Sequence, residues 1–289
     1  MQRKRLLALF FLLALGALTV FLSIPADGIR SKARYLADYA QAVLHRQDVL
    51  AYTRGEYTNI IFLHHSVGRN LIEQGRIREA FRERGYAFWD QDYNHRGLRN
   101  PEGESTGYGY DLPYDNSDPD GLARIFEQRV YPLPLNTLSG LLQHEVILLK
   151  SCFPNSHIPD AEALEARKAL YLRIRAGMEA HPDKIFILLT SPPLNPADTN
   201  AEEAANARAL SSWLASDDFL AGSENIFVFD FFDHLAVPDD GSPEANTLRP
   251  EYRPAGRDSH PNRLANETIA PRLVDFVIQS IATYRSTHP

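Results

Sequence analysis

Five short apolar runs recur along the chain, and each gives way abruptly to polar residues. They are Ile60-Ile61-Phe62-Leu63, Tyr86-Ala87-Phe88-Trp89, Glu145-Val146-Ile147-Leu148-Leu149-Lys150, Lys184-Ile185-Phe186-Ile187-Leu188-Leu189-Thr190 and Asn225-Ile226-Phe227-Val228-Phe229-Asp230. Segments with helical spacing lie between and after them: Gly68 to Arg84, Asp160 to Ala180, Ala201 to Phe219, and Arg263 to Tyr284. Continuous apolar runs read as strands buried on both faces, where strict alternation would leave one face in water. Strands that alternate with helices predict an α/β domain with a parallel sheet of five strands, covered on both sides. No second core and no clear linker follow residue 50. In such a sheet ligands bind beyond the carboxyl ends of the strands. The polar tails His64-His65-Ser66, Asn94 to Gly97, Ser151 to Ser156 and Ser191-Pro192 are therefore expected to rim one crevice.

The N-terminus is of a different character. Gln2-Arg3-Lys4-Arg5 precedes an uncharged run from Leu6 to Pro25. A run of about 20 such residues is long enough to span a bilayer. The basic flank places the N-terminus in the cytoplasm and the rest of the chain outside. Residues 1–26 are thus a signal anchor or a cleaved signal peptide, and Ile24-Pro25-Ala26 is a poor cleavage site. Ser31 to Leu50 has a helical face, so 27–56 reads as a connector and 57–289 as the working domain, extracytoplasmic in either case. The one cysteine, Cys152, allows no internal disulfide. A net charge of -7, with no basic stripe beyond the N-terminus, argues against a nucleic-acid partner.

The segment from 98 to 121, rich in Gly, Tyr, Asp and Pro, is either an ordered substrate-facing loop or a surface excursion. Its spacing from Asn116 to Glu127 resembles a calcium loop, but Pro119 interrupts it and no helix precedes it. A turn that caps a helix over Gly121 to Gln128 is the better reading, and no metal or cofactor is expected.

Ser66 stands where a strand runs into a helix. It is either a helix cap or a nucleophile beside the positive end of the helix. Near the other end of the chain, Asp258-Ser259-His260-Pro261 supplies an imidazole with a carboxylate two residues away, the combination a serine hydrolase needs as base and orienting acid. The Ser66 N–H, Gly97 and the Asn155 side chain could serve as oxyanion donors. His64 and His65 read as packing or support for the serine, since adjacent strand residues face opposite ways. Asp230 is a rival acid, and Cys152 reads as a small residue packed at a strand end.

In this order and spacing the residues resemble the SGNH, or GDSL-like, hydrolase superfamily, over about 57 to 285. Ser66 in His64-His65-Ser66-Val67-Gly68 matches the nucleophile block, where the family usually has Gly-Asp before the serine. Gly97 matches the glycine block, Asn155 the asparagine block, and Asp258 and His260 the acid and base. The resemblance implies a flavodoxin-like three-layer α/β/α fold, preceded here by the N-terminal hydrophobic helix. It also implies catalysis by Ser66, Asp258 and His260, with Ser66, Gly97 and Asn155 forming the oxyanion hole. The expected activity is that of an extracytoplasmic serine esterase working through an acyl-enzyme on an ester of an acylated small molecule or glycan, with an O-acyl group of a carbohydrate or envelope polymer as the expected target. An O-acetyltransferase acting on an exported polysaccharide, and a non-catalytic glycan-binding or assembly protein, are the alternatives.

Overall fold

In a computed structural model the described residues are 55–93, 97–110, 112 and 119–288, together with Ala33, Leu36, Ala37 and Ala40, which are helical. The hydrophobic segment 1–26 and nearly all of the connector lie outside the described residues. Within them no helix is long and apolar enough to cross a membrane.

The described residues form a six-stranded sheet in the order β3-β2-β1-β4-β5-β6. The strands are β1 (Asn59–His64), β2 (Ala87–Asp92), β3 (Leu98–Arg99), β4 (Val146–Lys150), β5 (Ile185–Leu189) and β6 (Ile226–Phe229). All pairings are parallel except that of β2 with β3. Without the edge strand β3 the order is 2-1-3-4-5, that of the flavodoxin-like doubly wound folds. The register pairs Ile61 with Trp89 on one side and Ile147 on the other.

Alternation within each buried strand sends its side chains into two separate cores. Ile61, Leu63, Ile147, Leu149, Phe186 and Leu188 pack beneath α3 (Asp120–Phe126), α5 (Ala161–Glu179) and α6 (Ala201–Leu214). Ile60, Phe62, Val146, Leu148, Ile185 and Ile187 pack beneath α1 (Ser66–Gln74), α2 (Ile77–Glu83), α8 (Phe231–Leu235) and α9 (Arg263–Thr287). The short helices α4 (Thr137–Leu141) and α7 (Asp217–Leu220) complete the chain order. The result is the expected three-layer sandwich.

The structure departs from the sequence reading in five places. The sheet has a sixth, antiparallel strand, which is only two residues long and too short to show a period. Strand β2 continues through Asp90-Gln91-Asp92, which were expected to be loop. These polar residues are buried because each finds a partner: Asp90 takes His64 and Arg78, Asp92 takes Arg69, and Gln91 accepts from the Tyr110 N–H. The helix expected over Gly68 to Arg84 is two helices, broken where Arg76 adopts a left-handed conformation with φ 54°. Similarly, the helix expected over Ala201 to Phe219 is interrupted after Leu214. In the segment after β3, Tyr108 and Tyr110 are neither substrate-facing nor a surface feature: both are buried in the core, edge to face. Tyr114 lies outside the described residues.

Candidate active site

The strand β1 ends at His64, and α1 begins at Ser66 with His65 as its N-cap residue. Ser66 is therefore the first helical residue rather than the cap. Its N–H belongs to the turn whose N–H groups have no acceptor within the helix. The turn is tight because Gly68 lies against the side chain of His64. A Cβ at position 68 would come within 2.4 Å of the His64 Cβ.

The two histidines before the serine are both buried and both support the turn. His64 Nε2 meets the Asp90 carboxylate at 3.2 Å, and its Nδ1 lies 2.9 Å from the His65 carbonyl oxygen. Burial acts to raise the Asp90 pKa, yet the hydrogen bond and charge of His64, with those of Arg78, hold it below the ordinary carboxylate value. His65 stacks on the Tyr93 ring at 4.2 Å between centroids, with its Nδ1 3.3 Å from the Lys150 carbonyl oxygen. The described residues hold no group of three or more His, Cys, Asp or Glu side chains suited to a metal ion.

Ser66, His260 and Asp258 are brought together across 194 residues of sequence. Ser66 Oγ lies 2.7 Å from His260 Nε2. On the far side of the ring, His260 Nδ1 lies 2.6 Å from Asp258 Oδ1, which also accepts the His260 backbone N–H at 3.0 Å. One carboxylate oxygen thus fixes both the ring and the backbone of the same residue. This placement favours the tautomer with hydrogen on Nδ1 and a lone pair on Nε2 facing the serine. Partial burial acts to raise the Asp258 pKa, but the side-chain and backbone hydrogen bonds of His260 and its charge leave it below the ordinary value. Asp258 is therefore an anion at neutral pH. Phe153 packs edge-on against the imidazole at 4.9 Å between centroids. Cys152 Sγ stands 3.8 Å from Ser66 Oγ.

The turn that carries Asp258 and His260 is clasped by Asn195, which the sequence reading did not single out. Its backbone N–H donates to Ser259 Oγ at 2.9 Å. Its amide donates to the carbonyls of Gly256 and Asp258, both at 3.3 Å. The available signal was an Asn set among prolines, in Pro192-Pro193-Leu194-Asn195-Pro196, just beyond a strand end. Behind the same turn, Asn262 caps α9 by accepting from the Ala265 N–H.

Gly97 and Asn155 are not drawn into this chain of hydrogen bonds. Gly97 has φ +125°, a conformation suited to glycine, and lies so close to Gly109 that a Cβ there would meet Gly97 N at 3.0 Å. Asn94, His95 and Arg96 before it lie outside the described residues. The buried Asn155 amide donates to Tyr171 Oη at 3.2 Å and Ser191 Oγ at 2.8 Å, while its Oδ1 has no partner. The rival acid Asp230 is engaged elsewhere: it caps α8 and accepts from Thr190 and Ser211.

No protein-family model matches the chain, and no curated protein matches it in sequence. Solved structures do match. A protein of Bacteroides fragilis NCTC 9343, provisionally described as an acylhydrolase, superposes with a TM-score of 0.51 at 13% identity, covering 85% of this chain and 98% of its own. The chain shares the three-layer α/β/α fold of that protein. A GDSL-like lipase of Bacteroides thetaiotaomicron VPI-5482 matches with a TM-score of 0.49 at 12% identity, covering 86% of this chain and 99% of its own. In this chain the Ser66 turn follows the first strand of the sheet, and the Asp258–His260 turn precedes the last helix.

Proposed function

We propose that the chain is a serine esterase that works through a covalent acyl-enzyme. The observation that carries this reading is the continuous relay from Ser66 Oγ to His260 Nε2 at 2.7 Å and from His260 Nδ1 to Asp258 at 2.6 Å. As Ser66 Oγ attacks an ester carbonyl, His260 Nε2 takes its proton, and the Asp258 carboxylate stabilises the imidazolium that forms. Collapse of the tetrahedral intermediate leaves the acyl group on Ser66, and His260 returns the proton to the departing alcohol. Water, activated by His260, then releases the acid. The N–H groups of Ser66 and Gly97 and the Asn155 amide are the candidate oxyanion donors. For Asn155 this requires its amide to turn, because as placed both hydrogens are engaged by Tyr171 and Ser191.

The substrate we favour is an O-acyl group on a carbohydrate or envelope polymer. The support is the N-terminal basic and apolar segment, which would place the domain outside the cytoplasm. The decisive test is labelling with a fluorophosphonate, run beside hydrolysis of p-nitrophenyl acetate. Wild-type protein is expected to be labelled and active, and Ser66→Ala to be neither. Equal labelling of the two would remove the nucleophile assignment and leave a binding role on the same scaffold. Acetyl transfer that appears only when an acceptor glycan is added would identify a transferase, since the acyl-enzyme half of the reaction is shared.

A further inference from the structure

Lys150 is a buried ionisable group that the relay does not use. It ends β4, at the centre of the sheet, and is wholly shielded from solvent. Burial lowers its pKa from 10.5 to about 8, with the neighbouring Cys152 acting in the opposite direction. Its Nζ donates to the Ser151 carbonyl oxygen at 2.7 Å and stands 5.5 Å over the Phe231 ring. A carbonyl dipole and an aromatic face are weak company for an interior ammonium, because burial without a counter-charge is strongly disfavoured. An apolar side chain of the same length would fill this space without that penalty. What the position gains from lysine is therefore the bond to Ser151 rather than packing.

That bond falls at the root of a functional turn. Ser151 opens the connection from β4 into the 3-10 turn Phe153–Ser156. The same connection brings Cys152 Sγ to 3.8 Å from Ser66 Oγ and sets the Phe153 ring edge-on to His260. It also carries Asn155. On the other side, the Lys150 carbonyl oxygen lies 3.3 Å from Nδ1 of His65, the residue before the serine. One residue thus joins the turn beneath the nucleophile to the turn that packs on the base.

We propose that Lys150 is a positioning residue: its ammonium holds the Ser151 carbonyl, and through it the 151–156 turn, in place against Ser66 and His260. This rests on the esterase reading above. The test compares the full chain with Lys150→Met, which preserves length and removes the donor and charge. Turnover of p-nitrophenyl acetate, the endpoint of fluorophosphonate labelling and the thermal midpoint are measured together. The expected result is a kcat lower by ~10–100-fold with KM within about twofold, since small misplacements of reacting groups have effects of this size. Labelling should be slower but reach the wild-type endpoint, and the thermal midpoint should hold or rise. Unchanged kcat would overturn the proposal. So would a loss that follows a reduced labelling endpoint and a lower midpoint, which is the signature of a lysine needed only for folding. Phe231→Leu, which weakens the seat of the ammonium and keeps the lysine, gives a second reading should Lys150→Met not fold. A several-fold fall in kcat at constant KM is expected, and wild-type kcat would overturn the proposal. Wild-type protein labelled no better than Ser66→Ala would instead sink the esterase reading, and this proposal with it.

Discussion

His144 lies at the amino edge of the sheet and His260 beyond its carboxyl edge, each with an acidic residue close by in sequence, Glu145 and Asp258. At the amino edge the two groups ignore each other. The Glu145 carboxylate accepts the backbone N–H groups of Gly55 at 2.7 Å, Thr58 at 3.0 Å and Asn59 at 3.2 Å. His144 is fully buried, with Nδ1 2.8 Å from Asn59 Oδ1, and burial, helped by the charge of Lys184, pushes its pKa down to about 3. At the carboxyl edge the carboxylate and the imidazole meet, the histidine is partly exposed, and its second nitrogen faces a hydroxyl. Complete burial has removed proton chemistry from one histidine. The other is partly exposed and has both ring nitrogens held by polar partners, the arrangement that the proposed proton transfer requires.

The contrast can be broken at either edge. The largest effect is expected from His260→Ala, which should lower ester turnover by ~10³-fold or more, with little change in thermal stability, as checked by steady-state assay and calorimetry. At the other edge, Glu145→Gln should do the reverse. It replaces an anionic acceptor of three N–H groups and should destabilise the fold by about 1–3 kcal/mol, read by denaturant unfolding, while kcat per folded molecule stays the same.

A third effect follows from protons. His144 binds its proton only near pH 3 when folded, but at about 6.5 when unfolded. Between those values the unfolded chain binds more protons, so acidification favours unfolding. The contribution of His144 is complete above pH 6.5 and is lost progressively toward pH 3. In His144→Phe the slope of stability against pH should flatten within that window, leaving the part due to carboxylates such as Asp90 and Asp258, whose lowered values make acidification destabilising in the same direction. The smallest effect is expected from Asn195→Ala. Loss of its bonds to the Gly256 and Asp258 carbonyls should loosen the acid-base turn and cost about 1 kcal/mol in kcat/KM, measured with the same ester.

The parallel strands were legible because their cores are continuous apolar runs, and two-sided burial permits little else. Ser66, Asp258 and His260 were legible because each adjoins a strand end or a helix start, where a doubly wound sheet gathers its ligands. The polar half of β2 was hidden for a definite reason. Asp90 and Asp92 look like loop residues until Arg78 and Arg69 arrive from the neighbouring helices to pair with them. Local sequence does not record such long-range pairing. Nor does it distinguish Lys150 from a strand-end lysine in water, although the fold encloses it completely. Tyr108 and Tyr110 were obscured by the opposite effect: the glycine-rich segment around them has the composition of an open loop, yet both rings pack into the core.

The contact between Gly68 and His64 makes these two positions a single choice for anyone who redesigns the turn that carries Ser66. While His64 is present, no side chain can be installed at 68 without moving backbone, because the added atom would fall 2.4 Å from the His64 Cβ. That Cβ is common to every residue except glycine, so trimming His64 to alanine would not clear the space. A library that varies position 68 alone should return glycine, and one that varies both should return side chains at 68 only where position 64 has itself become glycine or the first turn of the helix has shifted.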